Sequence, residues 1–504
     1  MDFSSNYFSH SIIHLTNYLW KKRIKLTLLV FIVTIFIFNI LNFWSRDNVE
    51  NFLSLNKKES TFSNEYSNIN ITYTKRPIIK EGIVDPKALY DLFDMINNDK
   101  IINNISDDLN NDYSNEVNYD LKINQKYCGS NTCKFLFSYR LPEQETRANF
   151  HFQTMTELAE KLNRTMVLTN VGRSRISSCN QFPYNFYYNL GILQEKFPNV
   201  KFISQANFQQ WAHERHNKPD VFHAYINTDK TNKPNTFGFV EPFVETLLNK
   251  HCFNQFQLNM DDNMSFKHVN IGPTGLWKTK YKNSIMSKYL ISQLNMSTDV
   301  LLINHDLRSN LFLGGKEISP VPYANHLIKA ANKVADELDS YIGIHWRMET
   351  GVTKSLTKCA NKLVEWVNRM KKTANISNVY FATDYPINGM GKAQSSTFHV
   401  VKKTHHDAVK ILNSSMHLNT WMSTNSLEYL EEIPELNEIL KQEFEGPGVQ
   451  GIMDKLILIL SSYFVIGSEG CCRVHSSFTG RVIRTRMAMM KAGNPRIKNI
   501  VSHW

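Results

Sequence analysis

Apolar positions along the chain follow two rhythms, and their alternation predicts its elements. Past residue 133, "KFLFSY" (134–139) is an apolar run of strand length. Phe152, Met155, Leu158, Ala159 and Leu162 then recur at three- and four-residue steps, the spacing of one helix face, before a second strand-like run, "TMVLTNV" (165–171). Strand, helix and strand in close succession make a βαβ unit and predict a parallel sheet. "VKFIS" (200–204) and "DVFHAYI" (220–226) add strands, and "GFVEPFVETLLNK" (238–250) reads as a buried helix. Beyond 320 the alternation resumes. The helix "YANHLIKAANKVADELD" (323–339) leads into "YIGIHWR" (341–347), and "ANKLVEWVNRM" (360–370) into "NVYFAT" (378–383). "GIMDKLILILSS" (451–462) leads into "YFVIG" (463–467), with the helix "SFTGRVIRTRMAMMK" (477–491) after it. Two such series predict two doubly wound α/β domains with a cleft between them.

The N-terminal part has a different texture. "LTLLVFIVTIFIFNILNFW" (26–44) carries no charge over nineteen residues, long enough to cross a hydrocarbon layer of about 30 Å. Lys21, Lys22, Arg23 and Lys25 precede it, so residues 1–25 are expected in the cytosol and everything after 44 in the lumen, as in a type II membrane protein of the endoplasmic reticulum or Golgi. Residues 45–125 turn polar and rich in Asn, Asp and Ser, which reads as a stem with one helix near "DPKALYDLFDMIN" (85–97). The expected domains are then 126–320 and 321–504.

That topology changes how composition is read. Seven Asn-x-Ser/Thr triplets (Asn70, Asn104, Asn163, Asn263, Asn295, Asn375 and Asn413) and all seven cysteines lie past the anchor, where glycosylation and disulfides are allowed. Cys128 and Cys133 enclose a short loop and are expected to pair; the odd total leaves one thiol over. The net charge of +11 suits an anionic ligand such as a nucleotide. No basic run interleaved with aromatics follows the anchor, which argues against nucleic acid.

Three strand ends hold candidate chemistry. In "YIGIHWR", Tyr341, Gly343, His345 and Arg347 share one side and Ile342, Ile344 and Trp346 the other. His345 and Arg347 therefore project together at the carboxyl end of a parallel strand, the ligand side of such sheets, with Gly343 leaving room beside them. Arginine offers a phosphate a planar fork of donors; a structural pairing of Arg347 with an acid fits the spacing equally. In "YFVIGSEGCCRVHSSFTGRV" a strand passes through a Gly-containing loop into a helix opening at Ser476, Ser477 and Thr479. That is an anion site at a helix N-terminus, or simply an N-cap at Ser476. "YFATDYP" ends a strand in Thr383 and Asp384, where a carboxylate can accept from a nucleoside or cap the next turn. His405 and His406 are adjacent on an expected helix and read as solvated surface, not metal ligands. No Asp-x-Asp, Walker A loop or Gly-x-Ser-x-Gly elbow occurs.

These stretches, in this order and after a βαβ unit containing "LNRT", resemble the GDP-fucose protein O-fucosyltransferase family over about 134–490. "IGIHWR" resembles the family's strand ending in His-x-Arg, "YFATD" its second nucleotide-contacting strand end, and "DKLILILSSYFVIGSEGCCRVHSSFTGRV" its Asp-containing helix, strand and Ser-Ser-Phe-Thr turn. The resemblance implies a GT-B fold, two Rossmann-like domains facing a cleft, with GDP-fucose held mainly by the C-terminal one. It also implies inverting transfer of fucose to a hydroxyl of a protein or glycan acceptor, with no metal and no further cofactor. Arg347 would neutralise the β-phosphate with His345 beside it, Ser476, Ser477 and Thr479 would cradle phosphate oxygens, Phe478 would line the site, and Asp384 would contact the nucleoside. For the acceptor base, ungapped counting from "LNRT" puts Arg147 where the family carries Asn, with Asn149 two residues later and Glu145 two before. The strand continues into Met-Glu-Thr, placing Glu349 nearby without a family role. Another nucleotide-deoxysugar donor on the same fold, and a luminal binding protein without catalysis, are the competing readings.

Overall fold

The chain begins its described part with α1 (Glu116–Cys128), β1 (Phe135–Arg140), α2 (Glu145–Lys161), β2 (Thr165–Leu168) and a small antiparallel hairpin of β3 (Val171–Gly172) and β4 (Arg175–Ile176). It continues through α3 (Leu190–Lys196), β5 (Phe202–Ser204), α4 (Gln205–Glu214), β6 (Val221–Asn227), β7 (Ser265–Asn270), α5 (Asn283–Leu294) and β8 (Val300–His305). The second series runs α6 (Asn325–Leu338), β9 (Tyr341–Trp346), α7 (Leu356–Ala374), β10 (Asn378–Thr383), α8 (Lys403–Ser415), α9 (Glu428–Glu431), α10 (Glu438–Phe444), α11 (Pro447–Leu460), β11 (Tyr463–Ile466), α12 (Ser477–Lys491) and β12 (Ser502–His503).

This computed structural model describes residues 116–141, 143–227, 264–270, 283–305, 319–387, 398, 400–426, 428–431, 438–472 and 476–504, all within one compact unit, Thr74–Trp504. The expected anchor at 26–44, the helix at 85–97 and the helix at 238–250 lie outside the described residues. Among those described, no helix is long and apolar enough to cross a membrane. The expected stem boundary at 125 falls inside α1, which docks on the first half of the fold. Asp120 accepts from the backbone N–H groups of His216 and Asn217 at 2.8 and 3.3 Å, and Asn124 accepts from Trp211 Nε1 at 2.9 Å. A polar sequence hides this helix because hydrogen bonds do most of its docking, with Ile123 its buried apolar residue.

Every pairing in both main sheets is parallel, because each connection crosses over through intervening chain. The first sheet has the order β5-β2-β1-β8-β6-β7 and the second β10-β9-β11-β12. In each, the chain leaves a central strand first to one side and later to the other. The reversals fall beside β1 and beside β9, so the carboxyl ends of these strands open the crevices where such sheets bind ligands.

The second sheet is buried on both faces. Ile342, Ile344 and Trp346 pack into the core formed with α7 and α8, whereas Tyr341 joins the core shared with α6 and α11. That second core is continuous with the α2 face of the first sheet, through Leu136, Phe152, Tyr188 and Tyr323. The room expected beside Gly343 is taken by α11: a Cβ there would lie 2.7 Å from Ser461 Oγ and 3.0 Å from Leu458 Cδ2. Glycine is required by the approach of that helix end, not by a ligand.

Arg486 explains why α11 ends where it does. Its side chain is fully buried and donates to the carbonyls of Leu458, Ile459 and Ser461 at 3.2, 2.9 and 2.6 Å, and to those of Ser462, Asn499 and Ile500 at 3.2, 2.7 and 3.1 Å. A guanidinium therefore satisfies the orphan carbonyls at a helix C-terminus and opposes its negative dipole end. Burial lowers its pKa to about 10, which still leaves it charged.

Asp454 anchors the same helix to the sheet by accepting from Tyr380 Oη at 2.5 Å. Burial pushes this carboxyl up to about 7, against the pull of the tyrosine hydroxyl. Since an unfolded aspartate titrates near 3.8, the folded protein binds the extra proton between these values and loses stability as pH rises through the window. Asp454→Asn removes that penalty. In urea unfolding, the stability difference between the variant and wild type should shift in the variant's favour by about 3 kcal/mol from pH 5 to pH 8. A difference independent of pH would show that Asp454 is ionised throughout.

Candidate active site

The crevice beside β9 brings together the three motifs that the sequence singles out. His345, at the last turn of the strand, is buried, stacks on Phe478 (centroids 4.4 Å apart, planes at 23°) and meets Thr479 Oγ1 through Nδ1 at 3.1 Å. Burial, with help from Arg347 and Lys455, lowers its pKa to about 3, so the ring is neutral at physiological pH. Ser476 is the N-cap of α12: its Oγ accepts from Thr479 N at 3.0 Å and lies 2.7 Å from Thr479 Oγ1. The helix's own ladder starts at Gly480 N, which donates to Ser476 O at 2.8 Å. The N–H groups of Ser477 and Phe478 thus lie at the positive end of the helix without a carbonyl in the ladder. Ser477 is exposed and Phe478 half-buried.

Gly470 and Cys471, which follow β11, are held from several sides. Cys471 forms a disulfide with Cys359 of α7, its carbonyl accepts from Trp346 Nε1 at 2.9 Å, and Gly470 O accepts from Val352 N at 2.9 Å. The expected Cys128–Cys133 bond is present, Cys179 is also disulfide-bonded, and the free thiol among the described residues is the buried Cys472.

Arg347 follows β9 and pairs with Glu349, Nη2 to Oε1 at 3.0 Å, with 29% and 14% of the two side chains exposed. The structural pairing that the spacing allowed is thus real, yet it is local and only part-buried, with its arginine end the more open to solvent, so it is worth far less than a fully sealed pair. Asp384 turns its carboxylate onto the one-turn 3-10 helix Met348–Thr350, accepting from Met348 N at 2.7 Å and Glu349 N at 3.1 Å. Burial raises its pKa to about 6 despite those two donors. Both oxygens serve the turn, so Asp384 shapes the segment that follows Arg347.

The three residues near the start of α2 part company. Asn149 is fully buried: its Nδ2 donates to Tyr184 Oη at 3.1 Å, and its Oδ1 accepts from Gln153 Nε2 at 2.9 Å and Val321 N at 3.2 Å. Arg147 is half-buried and contributes to holding the His151 ring neutral, after burial and His305. Glu145, at the crevice of the first sheet, is ion-paired with Lys455 of α11 and accepts from Tyr323 Oη at 2.6 Å and Thr146 Oγ1 at 2.9 Å. Lys455 completes its three N–H bonds on Thr146 Oγ1 and Tyr323 Oη, at 2.8 and 2.7 Å. Burial disfavours the Glu145 carboxylate, but Lys455, the Tyr323 hydroxyl and Arg481 outweigh it and hold the group below its ordinary range.

Lys455 also links the two crevices, its Nζ standing 5.1 Å from the centre of the Phe478 ring whose stacking partner is His345. Arg481, one turn into α12, lies over Tyr323 at 4.9 Å and donates to Val321 O at 3.1 Å. Two cations thus share one carboxylate, and the junction carries surplus positive charge next to the phosphate-type helix start. Sequence reasoning passed over Lys455, Tyr323 and Arg481. The one available signal was a lysine inside the apolar run "GIMDKLILIL". Of the two histidines of α8, His406 is exposed as expected and His405 is not. His405 is buried and its Nδ1 accepts from Lys402 N at 3.0 Å, while His406 Nδ1 is 2.6 Å from Tyr385 Oη. Lys402 precedes the helix, so this bond folds the imidazole back over the helix start and away from solvent. Among the described residues no group of three or more His, Cys, Asp or Glu is placed to hold a metal ion.

No protein-family model matches the chain, and no curated protein matches it in sequence. Solved structures do align with it. POFUT1 in complex with GDP-fucose matches at 12% identity and a TM-score of 0.40, over 74% of this chain and 98% of that one. NodZ α-1,6-fucosyltransferase co-crystallised with GDP matches at 12% and 0.33, over 70% and 92%. Fucosyltransferase NodZ from Bradyrhizobium matches at 12% and 0.31, over the same shares. Likenesses this distant carry no functional weight, and the reading below rests on the site's own residues.

The buried pair makes a prediction about stability. Removing one partner strands the other's charge, so Glu145→Gln and Lys455→Met should each cost about 3–5 kcal/mol in urea unfolding. The double variant should cost clearly less than the sum, because no stranded charge remains. Strictly additive losses would show that the two groups do not depend on each other.

Proposed function

We propose that the chain is a glycosyltransferase of GT-B architecture that transfers fucose from GDP-fucose to a hydroxyl of a protein or glycan, with inversion. The observation that carries this reading is the arrangement at the β9 crevice. A partly exposed arginine at a strand's carboxyl end stands two residues from a neutral buried histidine that contacts Phe478 and Thr479 at the N-terminus of α12, where the N–H groups of Ser477 and Phe478 are left outside the helix ladder. This is a site for an anion whose charge grows during reaction. As the bond from the anomeric carbon to the β-phosphate oxygen breaks, the electron pair moves onto the diphosphate. Arg347 and the N–H groups of Ser477 and Phe478 are preorganised to receive it. The chain's own cations then supply the positive charge that the leaving group requires. His345 is held by Thr479 and Phe478, and being neutral it adds no third positive charge beside Arg347 and Lys455.

Glu145 is the favoured proton acceptor for the incoming hydroxyl. The guanidinium of Arg147 offers donors and no acceptor, and the Asn149 amide is engaged on both sides. Glu145 is ionised, as a base must be, although Lys455 and Tyr323 would have to loosen for it to take a proton. In this reading residues 126–320 form the acceptor side and 321–504 the donor side, with Asp384 positioning the donor turn. Residues 26–44 anchor the protein in an endoplasmic reticulum or Golgi membrane with the domains in the lumen.

The diphosphate site is indifferent to the sugar, so a different deoxysugar donor is the second reading. Full-length protein in detergent, incubated with a panel of nucleotide sugars with and without EDTA, should release nucleoside diphosphate from GDP-fucose alone and regardless of chelator. Release from another nucleotide-deoxysugar selects the second reading, and saturable GDP binding without release indicates a non-catalytic protein. Arg347→Ala should lower the rate on the order of a hundredfold with an unchanged melting temperature; a variant that keeps its activity would sink the role given to Arg347.

A further inference from the structure

The carboxylate that pairs with Arg347 is held by a built turn. Met348 N and Glu349 N are both bound by Asp384, Gly351 N closes the turn on Met348 O at 3.1 Å, and Thr350 Oγ1 donates to Arg347 O at 3.3 Å. The turn is pressed against the β11–α12 loop so closely that a Cβ at Gly351 would lie 2.7 Å from Cys471 O. With its backbone fixed this way, Glu349 presents an oxygen to the guanidinium at 3.0 Å, from only two residues away. A carboxylate and a phosphate present the same kind of acceptor to an arginine fork.

We propose that Glu349 is an internal stand-in for phosphate, occupying Arg347 in the empty protein and competing with the diphosphate of the donor. The inference rests on the reading of Arg347 as the diphosphate's partner and adds to it a residue that sets donor affinity. A multiply charged diphosphate outcompetes one carboxylate, so binding proceeds with part of its attraction offset. When the product diphosphate leaves, Glu349 returns to Arg347 and hastens release. A local pair with one end in reach of water is a modest competitor, which makes the effect a tuning of affinity and residence time.

The test uses full-length protein, with GDP and inorganic pyrophosphate as probes in titration calorimetry and stopped-flow release. Glu349→Gln, which keeps the shape and loses the charge, should bind both probes roughly two- to fivefold tighter than wild type, chiefly through slower release. Its advantage should shrink at high salt, where exposed pairs are screened. Glu349→Asp, which keeps the charge, should stay within about twofold of wild type, and an unchanged melting temperature confirms that each variant is folded. Equal or weaker binding by Glu349→Gln overturns the proposal and leaves the Arg347 reading intact, since a carboxylate that orients Arg347 gives that result. Pyrophosphate binding without GDP binding overturns the nucleotide reading while the same affinity ratio still judges Glu349. Failure of wild type and both variants to bind either probe overturns both.

Discussion

A lysine ammonium cannot stay charged inside a protein unless each of its protons has an acceptor and its charge a partner. Lys455 meets that requirement with groups drawn from distant parts of the chain: Glu145 and Thr146 at the start of α2, and Tyr323 before α6. The two halves of the fold are therefore registered by chemistry as well as by apolar packing. Any slip of α11 against α2 would leave a buried cation without acceptors, at a cost comparable to a sizeable share of a domain's stability. The same ammonium faces the Phe478 ring, so the constraint reaches the β9 crevice directly.

The parts that meet Lys455 are themselves rigidly placed. Arg486 collects six carbonyls at the end of α11 and the segments around it, fixing where the helix stops and β11 begins. The Cys359–Cys471 bond and the Trp346 indole hold the next loop to β9 and α7. The start of α12 is placed by the Ser476 cap, by His345 against Thr479 and Phe478, and by Arg481 on Val321 O, and preorganised dipoles are what a developing anion needs.

Much of this was legible in the sequence because it is written in local periodicity. The helix at 477–491 and the strands around His345 and Asp384 follow from apolar spacing and from β-branched and aromatic runs. Ser476 as an N-cap follows from its place before an apolar-periodic segment. What could not be read was long-range pairing. Glu145 and Lys455 are 310 positions apart, and nothing in either neighbourhood names the other. Gly343 misled for a related reason: a glycine in a strand signals close approach, but only the fold shows that the visitor is Ser461 of α11. Asp384 was placed correctly at a strand end, and each of its oxygens accepts from a turn formed about 36 residues earlier, a partner that its own neighbourhood does not name.

Two carboxylate–cation pairs of identical chemistry thus serve opposite ends. Between Glu145 and Lys455, both sealed from water, attraction is strong and separation is costly, so the pair registers the two halves of the fold and any proton taken up by Glu145 comes at the expense of that pairing. Between Glu349 and Arg347, at the rim, water screens the attraction and separation is cheap, so the arginine stays available to a ligand. His345 sits between the cations of both pairs, and its burial resolves the conflict: kept neutral, it lets two positive groups flank one crevice without a third repelling them. Surplus positive charge is then left for an anion to neutralise, and the strongest remaining donors in the crevice are those that a diphosphate would use.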